Sequence, residues 1–141
     1  MHTTILSPSI GVPAMPTSQR VTQVCLFLVA FIAILGGTLQ LVLGEPDMGA
    51  RLDNVHRFMA GVYLSTGVIN FWAARTIRHQ GTLVYLLAFG VLMAGIARLV
   101  SISQVGVPAP AAVWLGYLVP EVLLPFVIAW SHWYATRQNV G

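Results

Sequence analysis

The distribution of apolar residues along the chain predicts four long helices joined by short polar turns. An uncharged run of 24 residues lies between Arg20 and Glu45, and about 20 helical residues suffice to cross the hydrocarbon core of a bilayer. Similar runs follow it along the rest of the chain. The predicted helices cover about residues 21–43, 54–74, 82–103 and 111–134.

The segments between these runs have the composition of turns. The first, "GEPDMGARLDN", is polar and contains glycine and proline, the second, "RTIRHQG", is basic, and the third, "QVGVPAP", ends in a proline suited to the first turn of a helix. Residues 1–19 combine three prolines with serine and threonine, which predicts a disordered or surface-lying tail. A single helical domain over residues 20–137 follows this tail.

Composition places these helices in a membrane. Charged residues make up only 8% of the chain and hydrophobic residues 57%, whereas a soluble domain has about 25% charged residues. Backbone groups in lipid must form hydrogen bonds within their own helix or in a closed barrel. The predicted fold class is therefore all-α, an integral membrane antiparallel four-helix bundle. Residues spaced by four predict close helix packing through their small members: Gly36, Gln40 and Gly44 on the first helix, and Gly90, Ala94 and Arg98 on the third.

The distribution of arginine predicts the orientation of the bundle. One side of a four-helix path carries four arginines and no acid, and the other carries the acidic residues of the first turn together with Arg51. The arginines are Arg20, Arg75, Arg78 and Arg137, and the acids are Glu45, Asp47 and Asp53. Cytoplasmic loops carry an excess of arginine and lysine. Both termini are therefore expected to be cytoplasmic.

Three charged residues fall within the predicted spans: Arg57, Arg98 and Glu121. An arginine at a helix centre costs about 2.5 to 3.5 kcal/mol to insert, so Arg98 is expected to face a partner inside the bundle. In one interpretation Arg98 simply pairs with Glu121, across a depth difference of roughly 8 Å. Arg57 then pairs with Asp53 or extends to the outer headgroups.

In a second interpretation these residues form a ligand site. Two positive charges face one negative charge in the outer half, so a cavity there could accept an anion such as a carboxylate or a lipid or quinone headgroup. Pro120 and Pro125 interrupt the backbone bonding of the fourth helix, as in bent helices that line cavities. Nearby tyrosine hydroxyls and a titratable histidine complete the candidate set. The candidate ligand-binding residues are Arg57, Arg98, Glu121, His56, Tyr63 and Tyr117.

Other chemistries have less support in the sequence. No HExxH, CxxC, Walker or serine-nucleophile pattern occurs, so no catalytic or metal-ligating residue is assigned and the cofactor, if any, is unknown. His79 and His132 lie at predicted helix ends, which favours surface histidines over haem ligands. Asn70 is interpreted as an interhelical hydrogen-bonding residue. The scattered arginines form no nucleic-acid patch.

Three short motifs carry a family resemblance: "NVHRFMAGVYLSTGV" in the second helix, "GVLMAGIARLVS" in the third and "PEVLLP" in the fourth. In these motifs the chain resembles a family of small bacterial four-helix membrane proteins catalogued as a domain of unknown function, over about residues 20–135. The resemblance implies a multi-pass protein of the bacterial inner membrane. It also implies that His56, Arg57, Arg98 and Glu121 occupy the family's polar positions, and it implies no activity.

Three functional hypotheses follow. The first is an outward-facing polar pocket that binds a small anionic or amphipathic ligand, or a lipid headgroup, as a sensor or carrier. The second is an accessory subunit whose charges hold it against a larger membrane complex. The third is a membrane enzyme that uses Glu121 as an acid or base, and it is disfavoured because a neighbouring arginine opposes the pKa rise that burial of a carboxylate produces. Expected partners are membrane lipids and either the ligand or the larger complex.

Overall fold

The computed structural model describes residues 14–45, 47 and 49–138. They form four helices, with a short 3-10 turn, Ile77–His79, between the second and the third. The helices are α1 (Thr17–Leu43), α2 (Ala50–Arg75), α3 (Thr82–Val105) and α4 (Ala111–Gln138). No strand occurs in the described part of the chain, and the prediction of an all-α fold is confirmed.

The first helix begins earlier than the sequence pattern predicts. Pro16 precedes α1, and the helix already includes residues 17–19, which were assigned to the tail. Gln19 is buried there and its Nε2 donates to the carbonyl of Ile77 at 3.4 Å. Gln19 therefore belongs to the bundle, because the turn after α2 supplies a hydrogen-bond acceptor for it. The rest of the predicted tail, residues 1–13, lies outside the described residues.

The four helices form two antiparallel hairpins that pack against each other through α1 and α4. Within the first hairpin, α1 runs along α2, and Gln23 Nε2 donates to the carbonyl of Ala74 at 2.9 Å. Within the second, α3 runs along α4. A hydrogen bond of 2.8 Å between the hydroxyls of Thr22 and Ser131 joins α1 to α4. The two remaining neighbours, α2 and α3, touch each other little.

Burial is concentrated at one end of the bundle. We call this end the terminal end. It contains the start of α1, the turn between α2 and α3 and the end of α4. Its largest fully buried side chains are Thr22, Leu26, Asn70, Ile77, Val84, Ile128 and His132. The opposite end, here the loop end, contains the turns at 44–49 and 106–110. Among the described residues of 38–59 and 96–124 none is buried, so the hairpins enclose little of each other there.

Glycines allow the closest helix contacts, but they are not the glycines that the spacing predicts. A Cβ built on Gly36 or Gly90 meets nothing within 4 Å, so that prediction was wrong. On α2, a Cβ on Gly67 lies 2.6 Å from Cγ1 of Ile34 and 3.2 Å from the carbonyl oxygen of Ala30. Gly37 similarly faces α2, and Gly95 faces α4. Each hairpin therefore packs backbone to backbone at a glycine.

Three of the four helices, α1, α3 and α4, are long and apolar enough to cross a membrane. With 26 residues, α2 also has the length, since it extends about 39 Å at 1.5 Å per residue. Its charged residues, Arg51, Asp53, Arg57 and Arg75, keep it less apolar than the others. That α2 also crosses the membrane stays a prediction.

Candidate functional site

Arg98 and Glu121 form a two-pronged ion pair between α3 and α4. Nε and Nη2 of Arg98 donate to Oε2 and Oε1 of Glu121, each at 2.8 Å. The two side chains are only 19% and 16% exposed. Such bidentate, charge-assisted pairs are among the stronger hydrogen bonds in proteins. The predicted proximity of these two residues is confirmed.

The backbone at Gly95 explains why the pair forms. A Cβ on Gly95 would lie 3.3 Å from backbone atoms of Glu121, so these two residues face each other across the hairpin. Arg98 is three positions further along α3, which places it about 4.5 Å toward the loop end. Long helical side chains lean toward the N-terminus of their own helix. In an antiparallel pair Arg98 and Glu121 therefore lean toward each other, and the depth difference is smaller than the predicted 8 Å.

Two aromatic residues of α4 flank the Arg98 guanidinium. Its Cζ lies 5.7 Å from the ring centroid of Trp114 and 5.9 Å from that of Tyr117. Both distances are within the range of cation–π attraction. Trp114, Tyr117 and Glu121 are spaced by three and four residues and so lie on one face of α4. Tyr117 was predicted at the site, but Trp114 was not, although its helical spacing from Glu121 was readable in the sequence.

The site has an excess of hydrogen-bond donors. A guanidinium carries more N–H groups than the two that Glu121 accepts, and Arg98 makes no other hydrogen bond to described residues. The indole Nε1 of Trp114 is buried and has no acceptor among the described residues. Glu121 uses both oxygens for Arg98. The unsatisfied polar groups of the site are therefore hydrogen-bond donors, and they match a ligand rich in oxygen acceptors.

Arg57 belongs to a different cluster, in the turn between α1 and α2. Its Nε donates to Oδ2 of Asp53 at 2.9 Å, and its Nη1 donates to the carbonyl of Leu41 near the end of α1. The other carboxylate oxygen of Asp53 accepts from the backbone N–H of Glu45 at 2.8 Å. Gly44, with φ of +61°, makes room for this cluster, since a Cβ there would overlap the guanidinium and the carboxylate. Arg57 thus closes the turn of the first hairpin.

The remaining predicted site residues lie on α2. Tyr63 is half-buried. His56 is half-buried next to Arg57 in the chain. Neither side chain forms a hydrogen bond with the described residues. The structure thus brings Arg98, Glu121 and Tyr117 into contact, whereas Arg57 and His56 have no contact with the ion pair.

The Asp53 cluster predicts an acid-sensitive turn. Hydrogen bonds from Arg57 and from the Glu45 N–H hold the pKa of Asp53 below its usual range. A lowered pKa stabilises the folded state above the usual carboxyl titration near pH 4, and this contribution is lost as pH falls through the lowered pKa. We expect the melting temperature in detergent to decrease below about pH 4, and to decrease less in Asp53→Asn. The control Asp47→Asn, an exposed acid in the same turn, should keep the wild-type pH profile.

The terminal end contains polar residues that the sequence interpretation placed incorrectly. His132 is 1% exposed, so its assignment as a surface histidine was wrong. Its ring packs edge-on against Tyr85, with centroids 5.1 Å apart. His132 does not lie at a helix end, because α4 continues past it to Gln138. Asn70 is also buried, but its Nδ2 donates to the carbonyl of Thr66 in its own helix and not to a neighbouring helix. Within the described residues no group of three or more His, Cys, Asp or Glu is placed to hold a metal ion.

Four antiparallel helices, of which three are apolar enough to cross a bilayer, define a small multi-pass membrane protein with an ion pair between two of its helices. The chain belongs to the family described as domain of unknown function (DUF4345), whose model matches residues 21–132. That match includes every residue of the Arg98 site and of the Asp53 cluster. No curated protein and no solved structure shows significant similarity to the chain.

Proposed function

We propose that this protein of the bacterial inner membrane binds a small anionic or amphipathic ligand, or a lipid headgroup, as a sensor or carrier. The pocket lies at the loop end and is centred on Arg98 and Glu121. The observation that carries the proposal is the excess of donors around the pair. Carbonyl, carboxylate or phosphate oxygens of a ligand would accept from the donors of Arg98 that Glu121 leaves unused.

The packing of the loop end supports a pocket at this position. The described residues of 38–59 and 96–124 include no buried residue, and we therefore place the pocket between the two hairpins, beside the ion pair. In this proposal Tyr63 of the first hairpin and Tyr117 of the second line the pocket. Arg57 and His56 form the rim, where Arg57 keeps the turn in place. The aromatic rings of Trp114 and Tyr117 suit the apolar part of an amphipathic ligand.

The geometry gives less support to an enzyme. Glu121 would have to exchange protons to act as an acid or base. Both of its oxygens instead accept hydrogen bonds from Arg98, so neither oxygen is free to receive a proton from a substrate. Tyr117, the other residue of the site with a titratable side chain, contacts the pair through its ring, at 5.9 Å from the Arg98 guanidinium. We therefore assign Glu121 the role of holding Arg98 in position and balancing its charge.

One observation favours the accessory-subunit hypothesis as a second candidate. The edges of α2 and α3 touch each other little and leave large apolar side chains exposed, among them Phe58 and Leu99. A helix of a larger membrane complex could pack into this gap and place its own acceptor on Arg98. In that case the donors of the site would bind a protein group and not a free ligand.

Native mass spectrometry of the full chain, released from mild detergent, distinguishes the two candidates. The pocket predicts a retained small molecule, or a lipid, whose bound fraction decreases in Arg98→Gln. The exposed Arg51 provides the control, because Arg51→Gln removes the same charge outside the site. A retained protein subunit that is lost in Arg98→Gln would support the second candidate instead. Equal retention of every bound species in both variants would contradict both.

The proposed orientation places both termini in the cytoplasm. The hydrogen bond between Thr22 and Ser131 supports a common side for the termini, since it joins the start of α1 to the end of α4. The four arginines of the terminal end support the cytoplasmic side. Reporter fusions at residues 1 and 141 should both be active with a cytoplasmic reporter and inactive with a periplasmic one. A periplasmic signal at either terminus would contradict the orientation and the outward-facing pocket.

A further inference from the structure

The terminal end of the bundle carries a concentrated positive charge. Arg20, Arg75, Arg78 and Arg137 lie there and are all exposed. None of them forms an ion pair with a described residue. The four acidic residues of the chain lie in the first turn, at the start of α2 and at the Arg98 site. This end therefore has the charge that attracts an anionic surface or ligand.

An apolar groove runs along α4 at this end. It has a volume of about 890 Å³ and includes Ser18 and Val21 of α1 in its lining. On α4 its lining includes Phe126, Trp130 and Trp133. The side chains of Phe126 and Trp130 are 61% and 71% exposed, so the chain itself does not cover the groove.

The groove continues directly into the positive charge. Phe126, Trp130, Trp133 and Arg137 are separated by four, three and four residues, so they form one stripe along α4. From Phe126 to Arg137 this stripe rises about 16 Å, which is about the depth of one leaflet of a 30 Å core. The Arg137 guanidinium lies 3.9 Å above the centroid of the Trp133 ring. The apolar part of the stripe thus ends at a cation at the depth of lipid headgroups, where tryptophan is also enriched.

We propose that this groove is a binding site for one anionic phospholipid. The acyl chain lies along Phe126 and Trp130, and the phosphate accepts hydrogen bonds from Arg137. Arg20, on the same turn of α1 as Ser18 and Val21, provides a second positive charge. A zwitterionic lipid fits less well because its ammonium group would lie among unpaired arginines. The site is at the opposite end of the bundle from Arg98, so it does not depend on the proposed ligand pocket.

The test uses the delipidated full chain in neutral detergent, titrated with phosphatidylglycerol or with phosphatidylcholine of the same acyl chains. Binding is read by native mass spectrometry. We expect phosphatidylglycerol to bind at least about tenfold more tightly, since each arginine near a headgroup contributes about fivefold in affinity. Arg137→Gln should weaken phosphatidylglycerol about fivefold, and Arg20→Gln combined with Arg137→Gln about 25-fold. Phosphatidylcholine affinity should decrease less in both variants, because its ammonium group offsets the charge of the phosphate.

Arg51→Gln is the matched control, because it removes an exposed arginine at the loop end. It should change phosphatidylglycerol affinity less than about twofold, as expected for a charge outside the site. If Arg137→Gln does not fold, the phosphatidylglycerol affinity of Arg20→Gln is compared with that of Arg51→Gln instead. Three results would overturn the proposal: equal affinity for both lipids, an Arg51→Gln effect as large as that of Arg137→Gln, or a lipid-free dimer that occupies the groove and prevents lipid binding.

Discussion

Removing one member of the Arg98–Glu121 pair should destabilise the bundle by about 3 to 5 kcal/mol, whereas removing both should change its stability little. Glu121→Leu leaves Arg98 largely enclosed without its counter-charge, and Arg98→Leu does the same to Glu121. The double variant, Arg98→Leu with Glu121→Leu, leaves no unpaired charge and adds apolar contacts. The free energy of unfolding is measured in detergent by denaturant titration, followed by circular dichroism.

The size of this effect depends on the position of the pair and not on the loss of charge alone. Arg51→Leu removes an exposed arginine that forms no ion pair with a described residue, and its effect should stay within about 0.5 kcal/mol. A double variant as unstable as the two single variants together would mean that the two residues contribute independently. The ion pair would then not be the unit that the geometry indicates.

The second large effect is expected at Gly67, where α1 and α2 pack closely. Gly67→Ala places a Cβ 2.6 Å from Cγ1 of Ile34 and 3.1 Å from the Ile34 nitrogen, so the two helices have to move apart. Overpacking of this kind costs about 1 to 3 kcal/mol. Gly61→Ala is the matched control on the same helix, since its Cβ meets nothing within 4 Å. It should be neutral or stabilising by up to about 1 kcal/mol.

Both glycine variants are compared in the same unfolding titration. A Gly67→Ala protein as stable as Gly61→Ala would contradict the close approach of α1 and α2. It would also remove the reason that we give for the packing of the first hairpin at a glycine.

The helices and the ion pair could be predicted from the sequence because strong physical costs determine both. Long uncharged runs have to form helices in lipid. An arginine in such a run has to find a partner in the interior, and Glu121 was the only carboxylate available in the spans. These arguments depend on the composition of each run and on the depth of its charges in the membrane. They do not depend on how each helix is rotated about its own axis.

Features that depend on helix rotation were not predictable in the same way. Successive helical residues point about 100° apart. The contact observed at Gly37 therefore lies on a different face of α1 from the contact predicted at Gly36. Spacing by four does not choose between neighbouring glycines. Trp114 was missed because it lies outside the short motifs, although its position relative to Glu121 follows helical periodicity.

Local backbone chemistry explains the revised role of Arg57. Its pairing with Asp53, four residues earlier, was one of the two interpretations of the sequence. The bond to the Leu41 carbonyl depends on the path of the turn, which Gly44 makes possible with its positive φ. His132 shows a similar effect, since its burial depends on where α3 begins and how far α4 continues. Neither the path of this turn nor the ends of α3 and α4 could be predicted from residue types alone.

The most direct test of the central claim is ligand retention in the Arg98→Leu, Glu121→Leu double variant. Native mass spectrometry compares it with the wild-type chain after identical purification, with the melting temperature of each sample as a check of folding. If the pair serves a pocket, the double variant folds with wild-type stability and loses the bound small molecule. A double variant that is stable and retains the same molecule to the same extent would show that the pair only joins α3 to α4, and the pocket would be rejected.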